Sequence, residues 1–293
     1  MAATPAPAAV PFRYTAEILP YHDYSLEDAL RELAGLGFTE VNLWTSAPPL
    51  GHHVNPGDDP GKIRALLDKY GITPCGLTMY GKSQEEMLER IEFARDLGID
   101  TVIFDCEANY PDFVSKFLPP LVESGVRNGV RIAVENHLTV PFTSDFEAGG
   151  HEQSRWDEGV DTFAQIKRLI TDIDHPHLGV CVAPPHLWVM EETISEVLTY
   201  LAERKRLFYY YIWDIDRNYR RGEDGLNFGP GEQQLARPDG TLDHAVLLGT
   251  LKRLGYTGPA SLKCHGTGGW PLEKVTAELR KADAYIRGCL ERI

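Results

Sequence analysis

Short runs rich in β-branched and aromatic residues alternate along the chain with amphipathic stretches of about 12 to 18 residues. The strand-like runs are 12–18, 40–44, 73–80, 101–106, 131–136, 177–182, 207–212 and 258–266. Ser25 caps a helical stretch with apolar residues at Ala29, Leu30, Leu33 and Leu36, which Gly37 closes. Ser83 opens another, with Met87, Ile91, Ala94 and Leu97 at helical spacing. Further helices are expected over 61–70, 111–128, 157–171, 191–204, 241–254 and 272–293. Eight strand-helix units in one chain of 293 residues predict an α/β protein, a single (β/α)8 TIM barrel over 11–293. Residues 1–10 read as a flexible tail. No Gly-x-Gly-x-x-Gly follows the first strand, which removes the main reason to prefer an open dinucleotide-binding sheet.

Composition narrows the function classes. A formal net charge of −14 argues against nucleic acid as a partner, because phosphate-backbone binding needs a basic surface. No apolar run approaches the roughly 20 residues of a membrane span, and the N-terminus lacks the charged start and apolar core of a secretory signal. The five cysteines are scattered through apolar runs, as expected of reduced core residues in a cytoplasmic protein.

In a barrel of this kind the active site is assembled at the carboxyl ends of the strands. Alternation along each strand sorts the residues there by face. Ala133, Glu135 and His137 share the inward face of the fifth strand, as do Cys181 and Ala183 on the sixth. Tyr209, Tyr211 and Trp213 face inward on the seventh, and Ser261, Lys263 and His265 on the eighth. After the fourth strand Asp105 and Glu107 have inward parity and could bind a hydroxyl or offset Lys263. A lysine inside an apolar strand costs several kcal/mol unless it is paired.

Four motifs carry a resemblance. They are Val-Glu-Asn-His at 134–137, His-Leu-Gly-Val-Cys-Val-Ala-Pro-Pro-His at 177–186, Trp-Asp-Ile-Asp-Arg at 213–217 and Gly-Tyr-Thr-Gly-Pro-Ala-Ser-Leu-Lys at 255–263. Together they resemble the xylose isomerase-like barrels, a group that includes ketose 3-epimerases, hydroxypyruvate isomerase, inosose dehydratase and endonuclease IV. The resemblance implies a divalent metal held by a Glu after strand five, an Asp in an Asp-x-x-His turn after strand six, a His on strand seven and a Glu on strand eight. Glu135 keeps the first position, His186 keeps the histidine of the turn, and Arg217 matches an arginine past strand seven. Ala183 stands where the Asp is expected, Tyr211 (or Trp213) where the His is, and Lys263 where the second Glu is.

These departures belong together electrostatically. The family's ligand set totals about −3 and offsets a +2 ion, whereas Glu135, Ala183, Tyr211 and Lys263 total about zero without one. A divalent cation beside an ammonium is repelled by about several kcal/mol even at an effective dielectric near 20. The sequence therefore predicts no cofactor, with Lys263 as a fixed cation paired to Glu135. A rival arrangement would place manganese, magnesium, cobalt or zinc on Glu135, His137, His186 and His265.

Catalysis is then expected from Glu135 as proton acceptor, Lys263 as the group that polarises a carbonyl or forms a Schiff base with it, and His186 as a second acid or base. Trp44, His52, His53, Tyr80, Glu107, His137, Tyr211, Trp213, Arg217 and His265 are candidate substrate contacts, with Trp188 and Trp270 nearby in the same rim. Asp214 and Asp216 read as a solvated charged rim beside Arg217. The expected activity is isomerisation, epimerisation or β-elimination of a sugar or keto-sugar by proton abstraction next to a carbonyl. The alternative is a non-catalytic sugar-binding or partner subunit in which Glu135 and Lys263 form only a structural ion pair. The segment 142–160, rich in Gly and Glu, is a candidate lid or homo-oligomer contact.

Overall fold

The computed structural model describes residues 11–46, 53–81, 83–106, 110–137, 159–218 and 228–293. Eight parallel strands close into a barrel in sequence order, β1 pairing with both β2 and β8. The strands are β1 (Arg13–Glu17), β2 (Glu40–Thr45), β3 (Thr73–Met79), β4 (Thr101–Phe104), β5 (Arg131–Glu135), β6 (Leu178–Val182), β7 (Leu207–Ile212) and β8 (Pro259–Leu262). The main helices that follow them are α1 (Leu26–Gly35), α2 (Pro60–Tyr70), α3 (Gln84–Asp96), α4 (Leu118–Asn128), α5 (Phe163–Asp172), α6 (Ile194–Glu203), α7 (His244–Arg253) and α8 (Leu272–Arg292).

Local chemistry explains where the elements begin and end. Ser25 and Ser83 cap α1 and α3 by accepting from the backbone N–H groups of Asp28 and Glu86. Thr162 and Gln165 form a reciprocal capping box that starts α5 at Phe163, later than the periodicity predicts. Gly71, Gly129 and Gly255 adopt positive φ and turn the chain into β3, β5 and β8. The helix expected over 111–128 runs without a gap from Tyr110 to Asn128, widened to a π-turn over Phe113–Phe117 before α4. Pro119 and Pro120 have no N–H to continue the ladder; Gln84 Nε2 instead donates to the carbonyls of Lys116 and Phe117, each at 2.9 Å.

Burial separates two layers. Alternate strand residues such as Val41, Leu43, Val102, Ile132, Val134, Val180 and Leu262 pack outward against the helices. Ile103, Ala133, Cys181, Ala183, Tyr209, Tyr211 and Trp213 form the interior cluster. The inward sets read from alternation on β5, β6 and β7 are therefore the observed ones. β8 ends one residue short of Lys263, but the Lys263 N–H still donates to Ile212 O at 3.0 Å, so the ladder with β7 carries it inward.

No described helix is long and apolar enough to cross a membrane. The five cysteines are free, four of them buried. Residues 1–10 and most of the 142–160 segment lie outside the described residues.

Close backbone approach fixes one glycine on β6. A Cβ on Gly179 would stand 2.6 Å from the Arg206 carbonyl oxygen and 2.5 Å from the Phe208 ring, where β6 meets β7. Gly179→Ala is expected to destabilise the barrel by about 1–3 kcal/mol, as overpacking against backbone does. Urea denaturation of the two proteins measures the difference.

Candidate active site

Lys263 and Glu135 meet inside the barrel mouth. Lys263 is 1% exposed and Glu135 is fully buried, and Lys263 Nζ donates to Glu135 Oε1 at 3.1 Å. Three aromatic faces enclose the rest of the ammonium. Its nitrogen lies 3.7 Å from the Tyr211 ring centroid, 4.7 Å from Trp213 and 5.3 Å from Trp44. Each such contact favours a cation by about 0.5–2 kcal/mol when water is excluded, which offsets part of the cost of burying the charge. The second oxygen, Glu135 Oε2, is buried and accepts no hydrogen bond among the described residues.

Glu17, at the end of β1, is a second buried carboxylate in the same space. Its Oε2 accepts from Asn42 Nδ2 at 2.6 Å and Trp44 Nε1 at 2.7 Å, and its Oε1 accepts from the Tyr209 hydroxyl at 3.1 Å. Burial raises its pKa above the ordinary carboxylate value, opposed by Ser261, Trp44, the Lys263 charge and Asn42. Gly76 leaves room for this cluster: a Cβ there would sit 2.5 Å from Asn42 Oδ1. From Asn42 the bonds continue to Thr78 Oγ1 at 2.7 Å and to the Tyr211 hydroxyl at 3.1 Å. Glu17 stands outside strands four to eight, where inward parity named the candidates. The available signal was an acidic residue between Ala16 and Ile18 on a strand buried on both faces.

His186 is fully buried on the short helix Pro184–Val189 after β6, with Nε2 3.8 Å from Glu135 Oε1. Asn136 positions that turn by clamping Ala183, accepting from its N–H at 2.8 Å and donating to its carbonyl at 3.1 Å. His137 packs against His186 with ring centroids 4.3 Å apart, and its Nδ1 lies 3.6 Å from Asp105 Oδ2. His265 lies 5.0 Å from Trp213 and 5.7 Å from Trp44, centroid to centroid. Gln234 Oε1 holds both sides of that corner, accepting from Trp213 Nε1 at 3.3 Å and the His265 N–H at 3.1 Å. Burial lowers the pKa of His186 and His265, with His137 and Lys263 acting in the same direction, so both rings are neutral near pH 7.

Other expected contacts fall elsewhere. Trp44, Tyr211 and Trp213 are fully buried walls of the lysine cage rather than an open sugar platform. Tyr80 is half-buried, 5.8 Å from Trp44. His53 Nε2 bonds the Tyr21 carbonyl at 2.9 Å, and the ring lines a surface groove with Leu26, Asp58 and Lys62. Arg217 is exposed and donates to the Asp239 carbonyl, so its described contacts join neither Glu135 nor Lys263. Asp214 is not a solvated rim residue. It is fully buried and accepts from the N–H groups of Ile215, Thr241 and Leu242, with His244 Nε2 3.5 Å away. Trp188 and Trp270 are half-buried, and Lys274 lies over the Trp270 ring. His52 and Glu107 lie outside the described residues.

The residues present do not fit a divalent metal at the four positions where the resemblance places its ligands. Ala183 offers no donor, Lys263 brings a positive charge to 3.1 Å from Glu135, and burial holds the Tyr211 phenol well above its ordinary pKa, so it stays protonated. Of the rival set, Glu135, His186 and His137 are neighbours but do not converge on one point as metal ligands. Among the described residues no group of three or more His, Cys, Asp or Glu side chains is arranged to hold a metal ion.

Comparison with known proteins agrees with the fold. The family model described as xylose isomerase-like TIM barrel matches residues 30–285. An L-ribulose 3-epimerase structure superposes with a TM-score of 0.68 at 16% identity, covering 96% of this chain and 95% of that one. D-psicose 3-epimerase with D-tagatose from Clostridium cellulolyticum H10 gives a TM-score of 0.68 at 11% identity, covering 95% and 99%. D-allulose 3-epimerase from Methylomonas sp. gives 0.65 at 13% identity, covering 96% and 100%. No curated protein matches the sequence. With its closed eight-stranded barrel and a family match over most of its length, the chain belongs to the xylose isomerase-like TIM barrel family.

Proposed function

We propose that the protein is a sugar isomerase or epimerase that moves a proton next to a carbonyl without a divalent metal. The observation that carries this reading is the buried pair itself: an ammonium fixed 3.1 Å from a carboxylate whose other oxygen has no hydrogen bond among the described residues. The family and its epimerase neighbours support the substrate class, a keto-sugar or related polyol derivative.

In this mechanism the substrate carbonyl oxygen faces Lys263 and Glu135 Oε2 takes the proton from the adjacent carbon. The electron pair of that C–H bond forms a carbon–carbon double bond and the carbonyl π pair moves onto oxygen, giving an enediolate beside the ammonium. At an effective dielectric near 20, two unit charges about 4 Å apart attract by about 4 kcal/mol, enough to matter to a proton abstraction. Returning the proton to the neighbouring carbon, while the enediolate's hydroxyl proton passes to the former carbonyl oxygen, isomerises the sugar; returning it to the same carbon from the other face epimerises it. Neutral His186 is placed beside Glu135 to donate or accept during that return. If a hydroxyl on the next carbon leaves instead, the same enolate gives a lyase.

Solvent-deuterium incorporation into a panel of ketoses, read by NMR, tests the reading. The wild type is expected to exchange one carbon-bound hydrogen, and Lys263→Met to lose about 10²–10³-fold in that rate while still binding the sugar. Absence of exchange with every ketose would instead favour the non-catalytic binding protein. Stability gives a second check. Lys263→Met leaves the Glu135 charge buried alone and is expected to cost about 3–5 kcal/mol, whereas Lys263→Met combined with Glu135→Gln recovers most of it.

Two enclosed histidines, one fully buried, set the acid side. His186 and His265 have depressed pKa values in the folded protein, so their contribution to stability is complete above the unfolded value of about 6.5 and is lost as pH falls below it. Urea midpoints are expected to fall between pH 7 and pH 5, with a smaller slope in His186→Gln.

A further inference from the structure

One side chain ties the ends of β7 and β8 together. Gln234 is 2% exposed and stands on the connection between β7 and α7. Its Oε1 accepts from the Trp213 indole Nε1 at 3.3 Å and from the His265 N–H at 3.1 Å, while its Nε2 donates to the Gly229 carbonyl at 2.7 Å. Each partner works one way only: an indole N–H and a backbone N–H donate, and a carbonyl accepts. A single orientation of the amide therefore satisfies all three, and the flipped form satisfies none.

The backbone around Gln234 is fixed from both strands. Its carbonyl accepts from the Asp214 N–H at 2.8 Å, and the Gly231 carbonyl accepts from Cys264 Sγ at 3.4 Å. A Cβ on Gly231 would strike the Gly266 carbonyl, so the loops after β7 and β8 meet through their main chains. Phe228, buried on the same connection, packs edge to face with Trp213 at 4.8 Å and with His186 at 4.9 Å, centroid to centroid. Trp213 is thus held at its N–H by Gln234 and across its ring by Phe228, and its face lies 4.7 Å from the Lys263 nitrogen.

We propose that Gln234 is a positioning residue for this site: it sets the plane of the Trp213 indole against the Lys263 ammonium and keeps the His265 turn in register with it. The chemical role of Lys263 rests on the function proposed above; the bonds made by Gln234 do not. Attraction between a cation and an aromatic ring requires the ring face to be turned to the charge. An indole freed from Gln234 would tilt that face away and let the ammonium leave its place 3.1 Å from Glu135 Oε1. A shift of about 1 Å at a reacting group costs up to about 100-fold in rate. Gln234→Met keeps the length of the side chain and removes both its accepting oxygen and its donating nitrogen.

The test reads the indole N–H resonance of Trp213 in ¹⁵N-labelled full-length protein, assigned among the five tryptophans with Trp213→Phe. Gln234→Met is expected to move that resonance upfield, toward that of an indole with no acceptor. In ketose deuterium exchange the same variant is expected to lose about 10-fold in kcat per folded molecule, with KM changed by less than about 2-fold. An unmoved resonance, or an unchanged kcat, in folded Gln234→Met overturns the proposal. If that variant does not fold, the wild type decides. A nuclear Overhauser effect is expected between the Trp213 indole N–H and the His265 amide N–H, which share the Gln234 oxygen, and its absence overturns the proposal. A wild type without ketose exchange would refute the proposed function, while the Trp213 resonance in Gln234→Met would still decide whether Gln234 sets the indole.

Discussion

A buried ammonium constrains everything at the carboxyl end of this barrel. Lys263 has almost no contact with water and reaches one carboxylate oxygen and three aromatic faces. Burying such a charge is costly, and the pairing recovers the cost only when geometry is held. Holding it requires the ends of β2, β5, β7 and β8 at fixed register, which a closed barrel supplies and an open sheet edge would not. The fold and the site therefore depend on each other through one side chain.

The supporting residues form a polar layer beneath an otherwise apolar interior. Glu17, Asn42, Thr78 and Tyr209 bond to one another and to two of the cage walls, and Gly76 makes the space they need. Buried polar networks are favourable only when nearly every member is satisfied. Cys75, beside Tyr209, shows the price of the surroundings: burial pushes its thiol pKa up to about 12, so it remains a neutral packing group. On the other side of the site, Asn136 and Gln234 fix the loops that bring His186 and His265 to the same rim.

The barrel was legible in the sequence because the strand and helix periods alternate without interruption and side-chain parity is preserved through β5 to β8. Parity turned Glu135 and Lys263 inward, and the ligand positions implied by the resemblance, with the charge count, paired them. Parity does not tell how far a side chain is from solvent, so Trp44 and Trp213 read as sugar platforms when they are walls around a lysine. Nor does it reveal long-range partners. Asp214 looked like a loop charge until the backbone of residues 241–242 closed on it, and Arg217 matched a family position while its guanidinium turned to Asp239. Glu17 was missed for a related reason: its partners Asn42, Trp44 and Tyr209 come from β2 and β7, and only closure of the barrel joins them.

The central claim is that an ammonium occupies the place where the xylose isomerase-like resemblance puts a metal ion. Metal content and ketose exchange measured on the same purified sample, before and after exhaustive chelation, test it most directly. Exchange that persists unchanged in protein with only trace metal is the predicted result. One manganese, cobalt, magnesium or zinc ion per chain, bound through Glu135 and lost together with the activity, would contradict it.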